Sequence, residues 1–159
     1  MRTRKRAILI AVITVVALLA SVAAVQAEAI MTTFTGAEGP CPLIEHGDWL
    51  TLPSGNLQVR GMVLRCRDEM SDPRATGYNT IVINGNWDPT GNGPVWGTWE
   101  LEVDGGGSWV GTWEGTKSGP AFVIHAQGNG VGIYEGMKYW AEGPAIDLRG
   151  RILNPHGGE

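Results

Sequence analysis

Charge is scarce in this chain: Asp, Glu, Lys and Arg make up 18% of its 159 residues, and the net charge is -4. Beside an apolar fraction of 43%, that is too little for an intrinsically disordered chain, and no Gly-every-third period suggests collagen. Cysteine is limited to two residues and histidine to three. No Cys-x-x-Cys pair is present, and His46, Asp48 and His156 have no spacing that selects a metal ion, so no metal site is expected. A Gly-x-Ser-x-Gly elbow, a P-loop and a His-Glu-x-x-His motif are all missing, which leaves nucleophilic and metal-dependent hydrolysis without motif support and implies no cofactor. Past residue 27 the longest stretch without Gly or Pro is Met62 to Asp72, eleven residues that carry no apolar stripe at helical period. Long helices are excluded.

A third of the positive charge, four of twelve cations, sits in the first six residues. Arg2, Arg4, Lys5 and Arg6 precede an uncharged, mostly apolar run from Ala7 to Ala24, and Val25-Gln26-Ala27 sets small residues where a signal peptidase reads them. Residues 1–27 therefore read as a secretory signal peptide, and residues 28–159 as a single domain, secreted or periplasmic. An uncleaved anchor is the alternative, since the run is near the lower length for spanning a bilayer. Cleavage takes away four cations and no acids, leaving 8 basic against 16 acidic groups. A net of -8 argues against nucleic acid and anionic membrane surfaces as partners, because both require a positive field on the protein. In an oxidising compartment Cys41 and Cys66 are expected to form a disulfide, worth roughly 3.5 kcal/mol in the chain-entropy model.

All 24 glycines and 9 prolines fall after residue 27 and cut the chain into short runs rich in Val, Ile, Thr, Trp and Tyr. About eight strands are predicted: Met31–Ala37, Leu57–Arg67, Thr76–Asn86, Val95–Asp104, Ser108–Thr116, Ala121–Gln127, Met137–Glu142 and Ala145–Leu153. The fold class is all-β, a single antiparallel barrel whose interior either fills with side chains or holds one small ligand, with a β-sandwich as the alternative. Gly97-Thr98-Trp99-Glu100 recurs as Gly111-Thr112-Trp113-Glu114 on either side of Asp104-Gly105-Gly106-Gly107, which predicts a hairpin. A loop of odd length pairs Val103 with Trp109, Leu101 with Gly111, Trp99 with Trp113 and Gly97 with Gly115, gathering three indoles on one face. In the last strand Ile146, Leu148, Gly150 and Ile152 alternate with Asp147, Arg149 and Arg151.

The run Gly128-Asn129-Gly130-Val131-Gly132-Ile133-Tyr134-Glu135-Gly136 resembles the Gly-x-Gly-x-Tyr-x-Gly stretch of small β-barrels of the allene oxide cyclase and dirigent type. The resemblance covers about the last 65 residues. It implies an eight-stranded barrel with an apolar cavity, in families that bind or steer reactive hydrophobic molecules and often assemble as homo-oligomers. None of the plant enzymes' catalytic residues has a matching position here.

Candidate site residues follow from the faces. Trp99, Trp113 and Trp109 are expected to line a cavity for a small-molecule ligand, while Trp49, Trp87, Trp96 and Trp140 are not buried by the proposed register and would serve in core or rim packing, the favoured reading, or as platforms for sugar rings. His125 alternates with Phe122 and Ile124; facing the lumen it would be a general base, and facing outward a solvated histidine, the more favoured reading. Tyr134 and Glu135 would offer a phenol and a carboxylate at a barrel mouth, against ordinary turn packing. Glu100, Glu102 and Glu114 lie on the polar face, where solvation accounts for them better than a glycosidase pair. The leading expectation is a secreted barrel that binds a small apolar or amphipathic ligand. The alternatives are an isomerase or cyclase of the allene oxide cyclase kind and a structural, envelope-associated protein whose interior is filled by its own side chains.

Overall fold

The computed structural model describes residues 28–157, so the expected leader, residues 1–27, lies outside the described residues. Ten strands follow one another: β1 (Ile30–Glu38), β2 (Leu43–Glu45), β3 (Asp48–Thr51), β4 (Leu57–Met70), β5 (Gly77–Trp87), β6 (Gly93–Val103), β7 (Ser108–Ser118), β8 (Ala121–Val131), β9 (Lys138–Pro144) and β10 (Leu148–Asn154). Single 3-10 turns lie at Pro73–Ala75 and Gly132–Tyr134. All eight runs expected from the sequence are strands, and β2 and β3 are short additions along β4 that the sequence reading did not include.

Hydrogen bonding runs through one sheet in the order β1-β10-β9-β8-β7-β6-β5-β4, and β4 then pairs back on β1. Eight antiparallel strands thus close into a ring, where a sandwich would divide them between two sheets. The closing seam is short: Gly36 opposes Met70, Ala37 opposes Glu69, and Glu38 opposes Asp68.

Alternation along the strands fills the ring. On β5, Gly77, Asn79, Ile81, Ile83, Gly85 and Trp87 are buried, and on β6 Val95, Trp99, Leu101 and Val103 are. In β4 the pairing with β5 shifts between Val59 and Met62, at Gly61, whose φ of 67° only glycine adopts without strain. The extra residue changes the parity, so that Val59 and then Met62, Leu64, Cys66, Asp68 and Met70 share the inward side. Cys66 is joined to Cys41 by a disulfide of 2.02 Å, as expected, which ties the segment after β1 to this inward row.

The hairpin of β6 and β7 corrects the expected register by two residues. Leu101 opposes Trp109, Trp99 opposes Gly111, Gly97 opposes Trp113 and Val95 opposes Gly115. The loop is of odd length, as argued, but it covers Asp104, Gly105 and Gly106: Val103 N–H donates to Gly107 O at 3.2 Å, and Gly106 N–H to Val103 O at 2.9 Å. Gly106 and Gly107, at φ of 93° and 74°, supply the backbone conformation this loop requires. Because the error is an even number of residues, the faces survive: Trp99, Trp109 and Trp113 are all inward and buried. Each of Trp99 and Trp113 lies opposite a glycine rather than opposite the other; a Cβ would come within 3.0 Å of the Trp113 ring at Gly97 and within 2.6 Å of the Trp99 ring at Gly128 on β8.

Trp87 takes the core reading: it is buried, held between Gly85, the edge of Trp49 at 5.4 Å and the Lys117 ammonium at 5.1 Å, at the end of β5. One further expectation is corrected. Ile146 is 81% exposed, since β10 begins only at Leu148 and Ile146 sits in the preceding turn. Leu148 and Ile152 are buried, as the alternation indicates.

Candidate functional site

The interior of the ring is not filled. A cavity of about 240 Å³ remains, walled by Trp99, Trp113, Ile81, Ile83, Ile124 and Tyr139. Ile146 and Phe122 lie where it meets solvent. Trp99 Nε1 donates to Thr112 O on the neighbouring β7 and Trp113 Nε1 to Val82 O on β5, two strands away, each at 3.2 Å, so both indoles satisfy their one donor and turn apolar surface to the cavity. Tyr139 packs on Trp99 with ring centroids 4.9 Å apart.

Trp109 does not belong to this wall. It is fully buried beyond it, stacked on Tyr134 at 5.0 Å and 8°, with Nε1 donating to Arg74 O at 2.7 Å. The three tryptophans share a face, but only two meet the cavity.

The polar part of the lining comes from residues that sequence reasoning did not single out. Glu38 and Asp68, directly opposed across the seam, both line the cavity, together with Asn79. Asn79 Nδ2 donates to Asp68 Oδ2 at 2.9 Å. Asp68 Oδ1 and Asn79 Oδ1 are buried and accept no hydrogen bond from the protein. Among the described residues no lysine, arginine or histidine lines the cavity. Burial pushes the Glu38 carboxyl up to about 8, and the neighbouring Asp68 charge adds to the rise. Burial likewise raises Asp68 to about 7, against the lowering effect of the Asn79 bond and the Arg67 charge. Near neutral pH Glu38 therefore holds a proton, and Asp68 is part-way through its titration. Burial also drives the Tyr139 hydroxyl far above its ordinary value, with Asp68 and Glu38 pushing the same way.

One signal for this pair was present in the sequence: beyond Gly61, the alternation that buries Leu64 and Cys66 also turns Asp68 inward. Nothing local indicates that Glu38 meets it, because the contact exists only once the ring closes.

The residues proposed for catalysis do not converge. His125 is exposed on the outer face, its Nδ1 3.5 Å from Glu142 Oε2, which is the solvated reading. Tyr134 is buried against Trp109, and Glu135 is exposed at the end of the 3-10 turn. Glu100, Glu102 and Glu114 are exposed, and Glu102 is bound by Arg65 at 2.8 Å. A larger depression of about 690 Å³ lies on the outer face between Trp96 and Trp140, with His125 and Gln127 on its floor. Its aromatic faces are already engaged, by Arg60 over Trp96 and Arg151 over Trp140, each at 5.1 Å. The lumen, apolar and holding unpartnered buried acceptors, is the stronger site.

The only trio of metal-type ligands that converges among the described residues is Glu38, Cys41 and Cys66. Two of its three members are consumed by the disulfide, so their sulfurs are not thiolates and the trio does not suit a metal. No helix among the described residues is long and apolar enough to cross a membrane. In comparisons with known proteins, no family model, no curated protein and no solved structure matches the chain.

Proposed function

We propose that this is an exported β-barrel protein that takes one small apolar or amphipathic ligand into its lumen, between Trp99 and Trp113. The observation that carries the reading is the 240 Å³ left open inside a ring whose other inward positions are closely packed. At the roughly 30 Å³ that one water occupies in the liquid, this is room for about eight heavy atoms. The leader-like residues 1–27 and the Cys41–Cys66 disulfide support export. A structural role without ligand fits less well, because it requires an interior filled by the protein's own side chains. Tryptophan fluorescence titrated with a panel of short fatty acids, terpenoids and oligosaccharides tests the reading: saturable quenching by at least one apolar class is expected, and a flat response across the panel rejects it.

A second reading, an isomerase or cyclase of the allene oxide cyclase kind, gains support from Glu38 and Asp68. Carboxyls that titrate near neutral pH inside an apolar cavity suit proton transfer to and from a bound substrate. On this reading E38Q with D68N abolishes turnover while the fold persists, whereas Y134F, E135Q and H125A together do not; unchanged turnover in the first variant removes it.

A further inference from the structure

We propose that the lumen selects a ligand with a cationic head, a small organic ammonium whose alkyl part lies between Trp99 and Trp113 and whose nitrogen is held by Glu38, Asp68 and Asn79. This rests on the lumen-binding reading above and names its ligand class. Four observations point the same way. Two carboxyls oppose one another in the cavity wall. Asp68 and Asn79, 2% and 7% exposed, each present an acceptor oxygen that no protein group satisfies. No basic side chain among the described residues shares the lining to compensate them. The remaining wall is apolar, aliphatic side chains such as Ile81, Ile83 and Leu148 together with the rings of Trp99, Trp113, Tyr139 and Phe122, and aromatic faces beside carboxylates are surroundings that ammonium groups favour. An ammonium supplies the donors that the orphaned oxygens lack and the charge that two close carboxylates need. A carboxylate ligand would add a third negative group.

Binding of this kind is linked to protons. The titratable groups facing the pair are each other and, from β9, Tyr139, with Asp72 more distant in the turn after β4. Arg67, next to Asp68 in the chain, sends its guanidinium outward to Asp104 at 2.6 and 2.7 Å. β8 and β10 contribute only neutral residues, Phe122, Ile124, Ala126 and Leu148. An ammonium that engages both carboxylates displaces whatever protons they hold, up to two at the acid end of the range, and those protons go to solvent.

The test compares hexylammonium, 1-hexanol and hexanoate, equal in chain length, by calorimetry on the native protein between pH 6 and pH 9. An alkylammonium keeps its charge across this range, titrating near the lysine value of about 10.4. Hexylammonium is expected to bind about tenfold or more tighter than hexanol at pH 8.5 and to weaken toward pH 6 by up to about tenfold per unit for each carboxyl that must give up its proton, with a binding heat that varies with the ionisation enthalpy of the buffer. Hexanol is expected to change little with pH, and hexanoate to bind weakest. E38Q with D68N, which keeps shape and removes charge, should abolish the preference for the ammonium while leaving hexanol binding and the thermal transition in place. Hexanol binding as tightly as hexylammonium, or an ammonium preference that survives the double substitution, overturns the inference and leaves the lumen reading standing. Binding of none of the three at millimolar concentration overturns both.

Discussion

Glu38 and Asp68 stand opposite one another at the seam where β1 meets β4, so the contact that closes the ring also brings two carboxyls together in its interior. Like charges directly opposed across a strand pair destabilise it, and burial removes the water that would screen them. The protein's answer is to keep a proton on the pair.

That arrangement makes stability depend on pH in a defined direction. Both carboxyls titrate higher in the folded protein, near 8 and 7, than the 4.5 and 3.8 they take when solvated, so between those values the folded state binds more protons than the unfolded state. Their contribution is complete below about pH 4 and is lost as pH rises through 7 and 8. Asp72, held low by Arg74, acts in the opposite sense and loses its contribution as pH falls below the ordinary carboxylate range. Thermal denaturation followed by circular dichroism from pH 3 to 9 should therefore show a maximum in mildly acidic solution and a decline of several degrees toward pH 9. In E38Q with D68N the decline should vanish; an unchanged decline would show that these carboxyls are not coupled to folding.

The glycines facing the tryptophans are not interchangeable with alanine. A Cβ at Gly97 would overlap the Val82 carbonyl oxygen, one at Gly111 the Gln127 carbonyl oxygen, and one at Gly128 would fall 2.6 Å from Trp99 Cζ2. Gly105, at the tip of the β6–β7 loop, has open space around it and no positive φ. Urea denaturation of G97A and G111A should show losses above about 2 kcal/mol, and G105A a change within about 0.5 kcal/mol. Equal effects at all three positions would contradict the packing described.

Reduction should be costly. The disulfide spans 25 positions and anchors the segment between β1 and β2 to Cys66, which is fully buried. C41S with C66S should lose about 3.5 kcal/mol in the chain-entropy account. A loss below about 1 kcal/mol would mean that the segment is held by β2 and β3 alone.

Outer-face substitutions should leave the lumen untouched. H125A removes a side chain that contacts only Glu142 at the surface and should change stability by less than about 0.5 kcal/mol. Any lumen ligand should bind H125A with native affinity; a loss of tenfold or more would move the site to the outer face.

Much of the ring was legible because its signals are local. Gly and Pro end the strands, and period-two alternation marks the inward face of β5, β6 and β10. Trp99 and Trp113 share a face in any odd-loop register, so that inference did not depend on the turn. The register itself did: choosing between Trp opposite Trp and Trp opposite Gly requires the loop conformation of Gly106 and Gly107, and area burial alone favoured the wrong pairing. The surroundings of Trp87 and the meeting of Glu38 with Asp68 were not legible for a different reason. What surrounds Trp87 comes largely from β3 and β7, and besides Asn79 on β5 what faces Asp68 comes from β1 and β9, strands distant in the chain.

The most direct test follows the seven indole N–H signals of ¹⁵N-labelled protein by NMR during titration with hexylammonium and with hexanol. Saturable shifts at Trp99 and Trp113, with Trp49, Trp96 and Trp140 unmoved, are the result expected for a ligand inside the ring. Shifts confined to Trp96 and Trp140, or no saturable shift at Trp99 and Trp113 with either probe, would contradict it.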